Sequence, residues 1–191
     1  MSVQRLAAWL LAALVLAGCQ LRPAWEEPSF ADPNQLQRWT LNGRLGYQTA
    51  EDSGNASLEW QQGDAEGRIH FSGPMGFGSA RLDWNDDLAT LDTGRDQASA
   101  SSPGELAWHL TGLWLPVEAL HYWVRGLPWP HAPAIAERDD EGRLDRLSQL
   151  GWSMQFDRYQ PIAGLQLPHR IRARHGEERF TLVVQRWRPA P

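Results

Sequence analysis

The 191-residue chain has no lysine: its 18 basic side chains are all arginines, set against 23 acidic ones for a net charge of −5. Without lysine there is no amine for Schiff-base chemistry and no phosphate-loop cation. There is a single cysteine, Cys19, which excludes an intrachain disulfide and a cysteine-built metal cluster. The six histidines, at positions 70, 109, 121, 131, 169 and 175, fall at no metal-ligand spacing, and neither His-Glu-x-x-His nor Gly-x-Ser-x-Gly occurs. Asp139-Asp140-Glu141-Gly142 lacks the later glutamate of a calcium loop and fits a hairpin turn. These absences predict a non-enzyme, with no catalytic residue and no metal. The acidic balance argues against a general nucleic-acid binder. Long apolar runs are missing too: residues 6–17 give twelve uncharged positions, short of the ~20 that a spanning helix needs. What the chain does have is tryptophan, 11 of its 19 aromatic residues. Rings of that size must be buried or face something apolar.

The run at 6–17, preceded by Arg5, suits the apolar region of a secretory signal. It ends Leu16-Ala17-Gly18-Cys19, which resembles the bacterial lipoprotein signal, or lipobox. That resemblance implies cleavage before Cys19 and N-acyl and S-diacylglycerol groups on that cysteine. The alternative is an ordinary secretory signal with a chance cysteine. Loss of residues 1–18 removes one arginine and leaves 173 residues with a charge of −6. Gln20, where such signals carry Asp for inner-membrane retention, implies the outer membrane. Each buried acyl methylene contributes ~0.8 kcal/mol, so several chains hold a protein to a bilayer without a spanning helix. Residues 19–35, rich in Pro and acidic side chains, are expected to be a lipidated tether. Residues 36–191 are expected to form a single domain.

In that domain the hydrophobic period is mostly two. Ala56, Leu58 and Trp60 alternate with polar residues, as do Ile69 and Phe71, Ala80, Leu82 and Trp84, Trp152, Met154 and Phe156, and Phe180, Leu182 and Val184. Gly63-Asp64, Asn85-Asp86-Asp87, Asp140-Glu141-Gly142 and Gly176 punctuate these segments. The pattern predicts strands with one apolar face, joined as antiparallel hairpins. Ser102-Pro103-Gly104-Glu105 is a capping-box pattern with Pro at the first helical position, predicting a helix to about Thr111. Val117, Leu120, Trp123 and Val124 predict a second helix over 116–125, ending at Gly126. The expected architecture is a curved antiparallel sheet with short helices filling its concave side.

Several segments together resemble the outer-membrane lipoprotein receptor family, LolB. They are Asn42-Gly43-Arg44-Leu45-Gly46, Gly73-Pro74-Met75-Gly76, Leu113-Trp114-Leu115-Pro116-Val117, Tyr122-Trp123-Val124-Arg125-Gly126-Leu127-Pro128, Leu150-Gly151-Trp152 and Gly164-Leu165-Gln166-Leu167-Pro168. The resemblance runs over about 36–188. It implies a half-closed antiparallel barrel lidded by helices over an apolar cavity. It implies a monomer on the inner leaflet of the outer membrane, facing the periplasm. There it would take lipoproteins from a periplasmic carrier, LolA, hold their acyl chains and insert them among the membrane phospholipids without nucleotide or metal. It also implies an insertion device, an apolar residue on a loop between two strands. Met75 occupies the matching place, with Pro74 and Phe77 beside it. The residues alone allow the plainer alternative, a hairpin whose Met packs onto the chain's own core.

For the cavity, the residues on apolar strand faces are candidates: Trp60, Phe71, Leu82, Trp84, Trp152 and Phe156, with Trp123 on the second helix. Each could equally be solid core. Arg170, Arg172 and Arg174 share one strand face, with Arg179, Arg186 and Arg188 nearby. That face is either merely solvated or a basic patch for an acidic carrier or anionic headgroups. Two other functions keep the lipobox: a lipid carrier of related fold, and a structural lipoprotein that only binds a partner. A solid interior would favour the second.

Overall fold

In the computed structural model of the protein, residues 28–73 and 78–190 are described. The signal segment, Cys19 and the 74–77 loop with Pro74, Met75 and Phe77 lie outside them. The strands are β1 (Arg38–Gln48), β2 (Ser53–Gln62), β3 (Gly67–Gly73), β4 (Gly78–Trp84), β5 (Ala89–Asp92) and β6 (Gln97–Ala100). Two helices follow, α1 (Pro103–Thr111) and α2 (Val117–Trp123). Then come β7 (Ala134–Arg138), β8 (Leu144–Gln149), β9 (Trp152–Asp157), β10 (Gln160–Ile162), β11 (Leu165–Leu167), β12 (Arg170–His175) and β13 (Glu178–Ala190). Eleven strands make one antiparallel sheet in the order β6-β5-β4-β3-β2-β1-β13-β12-β9-β8-β7, and β10 and β11 form a separate hairpin.

The predicted alternation is what builds this sheet. Ala56, Leu58 and Trp60, then Ile69 and Phe71, then Phe180, Leu182 and Val184 all face one buried side. The residues between them face outward. Each predicted turn lies between two strands. A sheet apolar on one side must cover that side, and here the two helices do so. α1 begins where the capping pattern predicts, with Ser102 Oγ accepting the Glu105 amide at 3.3 Å. It ends at Gly112, left-handed at φ 64, whose N–H donates to the Trp108 carbonyl at 2.7 Å. α2 has no side-chain cap. It is held instead by burial of Val117, Ala119, Leu120 and Trp123.

The tether expected over 19–35 is shorter than that at its domain end. The Phe30 N–H donates to the Ala163 carbonyl at 2.8 Å, and Phe30 packs against the core. Asp32 caps a 3-10 turn, Pro33–Gln35, whose Gln35 side chain accepts the Asp32 amide in return. Pro and acidic residues suggested a solvated strap, but in this order they make a capping box.

One irregularity was hidden in the alternation. Between β1 and β13 the register runs Asn42↔Arg186 and then Gly43↔Val184, so Gln185 is an extra residue, a β-bulge. The bulge turns Trp187 inward and Arg186 outward. Trp187 then meets Trp39 with ring centroids 5.0 Å apart, and Trp39 meets Trp60 at 5.0 Å. Beside the bulge, a Cβ on Gly43 would lie 2.6 Å from the Val183 carbonyl oxygen. Gly43→Ala is therefore expected to push the two central strands apart and destabilise the fold by about 2 kcal/mol. The midpoint of urea unfolding measures this, and an unchanged midpoint would contradict the bulge packing.

Candidate functional site: an apolar cavity under two helices

Between the helices and the inner face of the sheet lies an enclosed cavity with only apolar side chains around it. Leu45, Leu58, Trp60, Ile69, Phe71 and Leu82 line it from β1 to β4, and Phe180 and Leu182 from β13. Ala107, Leu115, Val117 and Leu120 close it from the helix side. Its free volume is about 30 Å³, room for a water or two. A lipid acyl chain is far larger than this space.

Of the sequence candidates, Trp60, Phe71 and Leu82 stand together in this lining. Trp84, Trp123, Trp152 and Phe156 do not. Trp84 lies across Gly67 at the far end of the sheet, edge-on to Trp60 at 6.1 Å, and borders an outer groove. Trp152 packs between Phe180 at 5.2 Å and His175 at 5.3 Å. Phe156 is solid core. Trp123 is fully buried, and its Nε1 donates to Gln149 Oε1 at 2.8 Å. Sequence reasoning named Trp60, Phe71 and Leu82 and passed over the other lining residues. Leu58, Ile69, Phe180 and Leu182 carried the same period-two signal; which part of each face the helices leave unfilled is a tertiary fact.

The end of α2 is fastened by two buried polar side chains that sequence reasoning did not single out. Gln149, 3% exposed, is the first. Besides Trp123, its Oε1 accepts the Trp129 amide at 2.9 Å, and its Nε2 donates to the Trp129 and Ala132 carbonyls at 2.7 and 2.9 Å. Arg125, 1% exposed just past α2, is the second. It donates to the His121 carbonyl at 3.1 Å and to the Pro33 and Leu36 carbonyls at 3.1 and 2.9 Å. Its guanidinium lies 4.9 Å from the Tyr122 ring centroid. These partners are carbonyls and not carboxylates, and burial lowers the Arg125 pKa to about 10. Burial, with Arg125 nearby, likewise lowers His121 to about 4. The end of α2 is thereby tied to the 3-10 turn that leads toward the N-terminus.

Toward the C-terminal end of α1 and just beyond it, two large rings face solvent. Trp108 and Trp114 are 46% and 56% exposed. Trp108 borders an open groove of about 670 Å³ against the β1–β2 and β12–β13 turns. The β3–β4 hairpin closes at this same end through the facing pair Gly73 and Gly78, with φ of 120 and 77. Those values favour glycine and form a tight base for the 74–77 loop.

Residues 37–187 match the family model described as outer membrane lipoprotein LolB. The chain belongs to the LolB family. It is 35% identical over 191 residues to the outer-membrane lipoprotein LolB of Alkalilimnicola ehrlichii, covering 95% of each chain. It is 36% identical over 190 residues to that of Stutzerimonas stutzeri, covering 93% of this chain and 92% of the relative. The fold is similar to the crystal structure of a LolA superfamily protein from Nitrosomonas europaea, with a TM-score of 0.54 at 7% identity over 82% of this chain and 87% of that one. Among the described residues of this LolB-family chain, no helix is long and apolar enough to cross a membrane. Also among them, no three His, Cys, Asp or Glu residues are placed to hold a metal. The Tyr122–Pro128 segment of the resemblance contains Trp123 and Arg125, which fasten the end of α2.

Two outcomes are expected. Gln149→Leu strands two donors and two carbonyls at the base of α2 and lowers stability by about 3 kcal/mol in urea unfolding. His121 titrates near 6.5 when unfolded and near 4 when folded. As pH falls through that window the unfolded chain takes up a proton that the folded chain refuses. Stability is therefore lost toward acid, by about 3 kcal/mol in total. Urea midpoints at pH 6.5 and 4.5 measure the slope, which His121→Gln should flatten.

Proposed function

We propose that this chain is an outer-membrane-anchored receptor that takes lipoproteins from a periplasmic carrier of the LolA kind and delivers them into that membrane. The observation that carries the proposal is the enclosed, wholly apolar cavity roofed by two short helices in a LolB-family chain. The relatives' designation as outer-membrane lipoproteins supports the location, and Cys19 would carry the anchoring acyl groups.

The energetics favour direct transfer. Several acyl chains exposed to water would cost on the order of 30 kcal/mol. Non-covalent affinities saturate at about 18 to 21 kcal/mol. Cargo therefore has to pass from cavity to cavity and then from cavity to bilayer, with no free intermediate. Acceptance requires the helices to lift from the sheet, and α1 is the candidate to move, since Gln149 and Arg125 hold the end of α2. Met75, on the loop based at Gly73 and Gly78, would enter the bilayer as an apolar finger and open a path for the chains.

The tightness of the cavity favours a second reading, a structural lipoprotein that binds a partner and no lipid. A carrier loaded with a labelled lipoprotein separates the two. A receptor takes up the label directly, and absence of uptake by the folded protein would overturn the proposal. In the same assay Met75→Glu should accept cargo as the parent does yet fail to pass it to liposomes, because a charge resists burial in the bilayer. Normal delivery by Met75→Glu would remove the finger.

A further inference from the structure

The outer face of the central strands is charged in one sign. On β12, Arg170, Arg172 and Arg174 point away from the core. Across the ladder they oppose Val183, Thr181 and Arg179 of β13. Val183 in turn opposes Arg44 of β1, and Arg186 and Arg188 oppose Asn42 and Thr40. The outward positions of β1, β13 and β12 hold no carboxylate. On the flanking strands Asp157 pairs with Arg170 and Arg172, and Glu59 bonds Asn42. The side chains of Arg44, Arg174 and Arg186 make no hydrogen bond or ion pair among the described residues. Arg174 sits directly opposite Arg179, a like-charge pair that costs sheet stability. All this occurs in a chain of net charge −5. Its acids gather at turns, among them Glu51 and Asp52, Asp64 and Glu66, and Asp86 and Asp87.

We infer that this face of the sheet rests on anionic phospholipid headgroups. A protein partner would need an apolar or aromatic anchor near the centre of the contact, and the centre here offers only Thr181 and Val183 between arginines. A headgroup surface needs no anchor; it needs several cations within a Debye length. The guanidinium fork also suits phosphate oxygens. The inference rests on the receptor reading for the nearness of a membrane. Acyl chains on Cys19 would already give attachment, so the face contributes orientation, leaving the helices on the opposite side of the sheet open to an arriving carrier.

The test uses the Cys19→Ala chain, which lacks the anchor, and sedimentation with vesicles of phosphatidylcholine alone or mixed with phosphatidylglycerol. Binding is expected only to the anionic vesicles, with release by salt. Arg44→Gln, Arg174→Gln and Arg186→Gln together break no ion pair, so the fold is kept, and they should weaken binding on the order of a hundredfold. Arg95→Gln, in the β5–β6 turn, should leave it unchanged. No preference for anionic vesicles, equal binding by the triple variant, or an equal loss in Arg95→Gln would each overturn the inference. So would a triple variant that binds vesicles normally but no longer takes cargo from a loaded carrier, which would assign the face to a protein. No cargo enters the sedimentation arm, so failure there leaves the receptor reading standing, and failure of transfer leaves this one standing.

Discussion

A broad sheet with one apolar face cannot stay uncovered in water, and the rest of this structure follows from how that face is closed. Eleven strands curl around their own inner side chains, yet among the described residues two helices, of nine and seven residues, lie across the opening. Helices that short have little intrinsic stability. They hold through what they bury and through the polar ties at the end of α2. Gln149 and Arg125 are spent there, each satisfying backbone or indole groups that would otherwise be orphaned under the lid. α1 holds through burial of Leu106, Ala107 and Leu110, with Trp108 left half in solvent.

Much of this was legible in the sequence. Period-two runs gave the strands, since each has one wet face, and Gly and Asp clusters gave the turns. The start of α1 was legible because Ser102 and Pro103 act locally. What escaped depends on contacts between distant residues. The Gln185 bulge breaks an alternation that looked continuous, and only the facing strand reveals it. The 3-10 turn at Pro33 sat in a segment whose composition suggested a tether. Arg125 and Gln149 resemble surface residues by type; their burial comes from the lid that lands on them. For the cavity, inward direction was readable at Trp60, Phe71 and Leu82. Whether an inward ring meets a void or a neighbour was not, because Trp152 and Phe156 point inward equally well and are met by packed side chains.

The absence of lysine acquires a physical sense on the outer face. Arginine is always charged, is more weakly hydrated than an ammonium and binds phosphate and carboxylate through a planar fork. The same property allows Arg125 to be buried among carbonyls against a tyrosine ring. A lysine there would present a compact, strongly hydrated charge and would shift toward its neutral form more readily. One side-chain type thus serves both as an internal clasp and as a surface charge, because its cation is delocalised.

Under the receptor reading, the small size of the empty cavity becomes part of the mechanism. A large, preformed apolar hollow would bind acyl chains with the full gain of burial and would release them reluctantly. A cavity that closes on itself when empty has already buried most of its lining, so opening it subtracts from the affinity for cargo. Apparent affinity falls by the fraction of molecules in the open form. The bilayer interior exacts no such opening cost on the acyl chains. With no nucleotide to drive the step, each successive site must hold the cargo more favourably than the one before. A receptor whose lid closes spontaneously sits below the membrane in that order, and Gln149 and Arg125, by holding the end of α2 to β8 and to the 3-10 turn, help determine how far below.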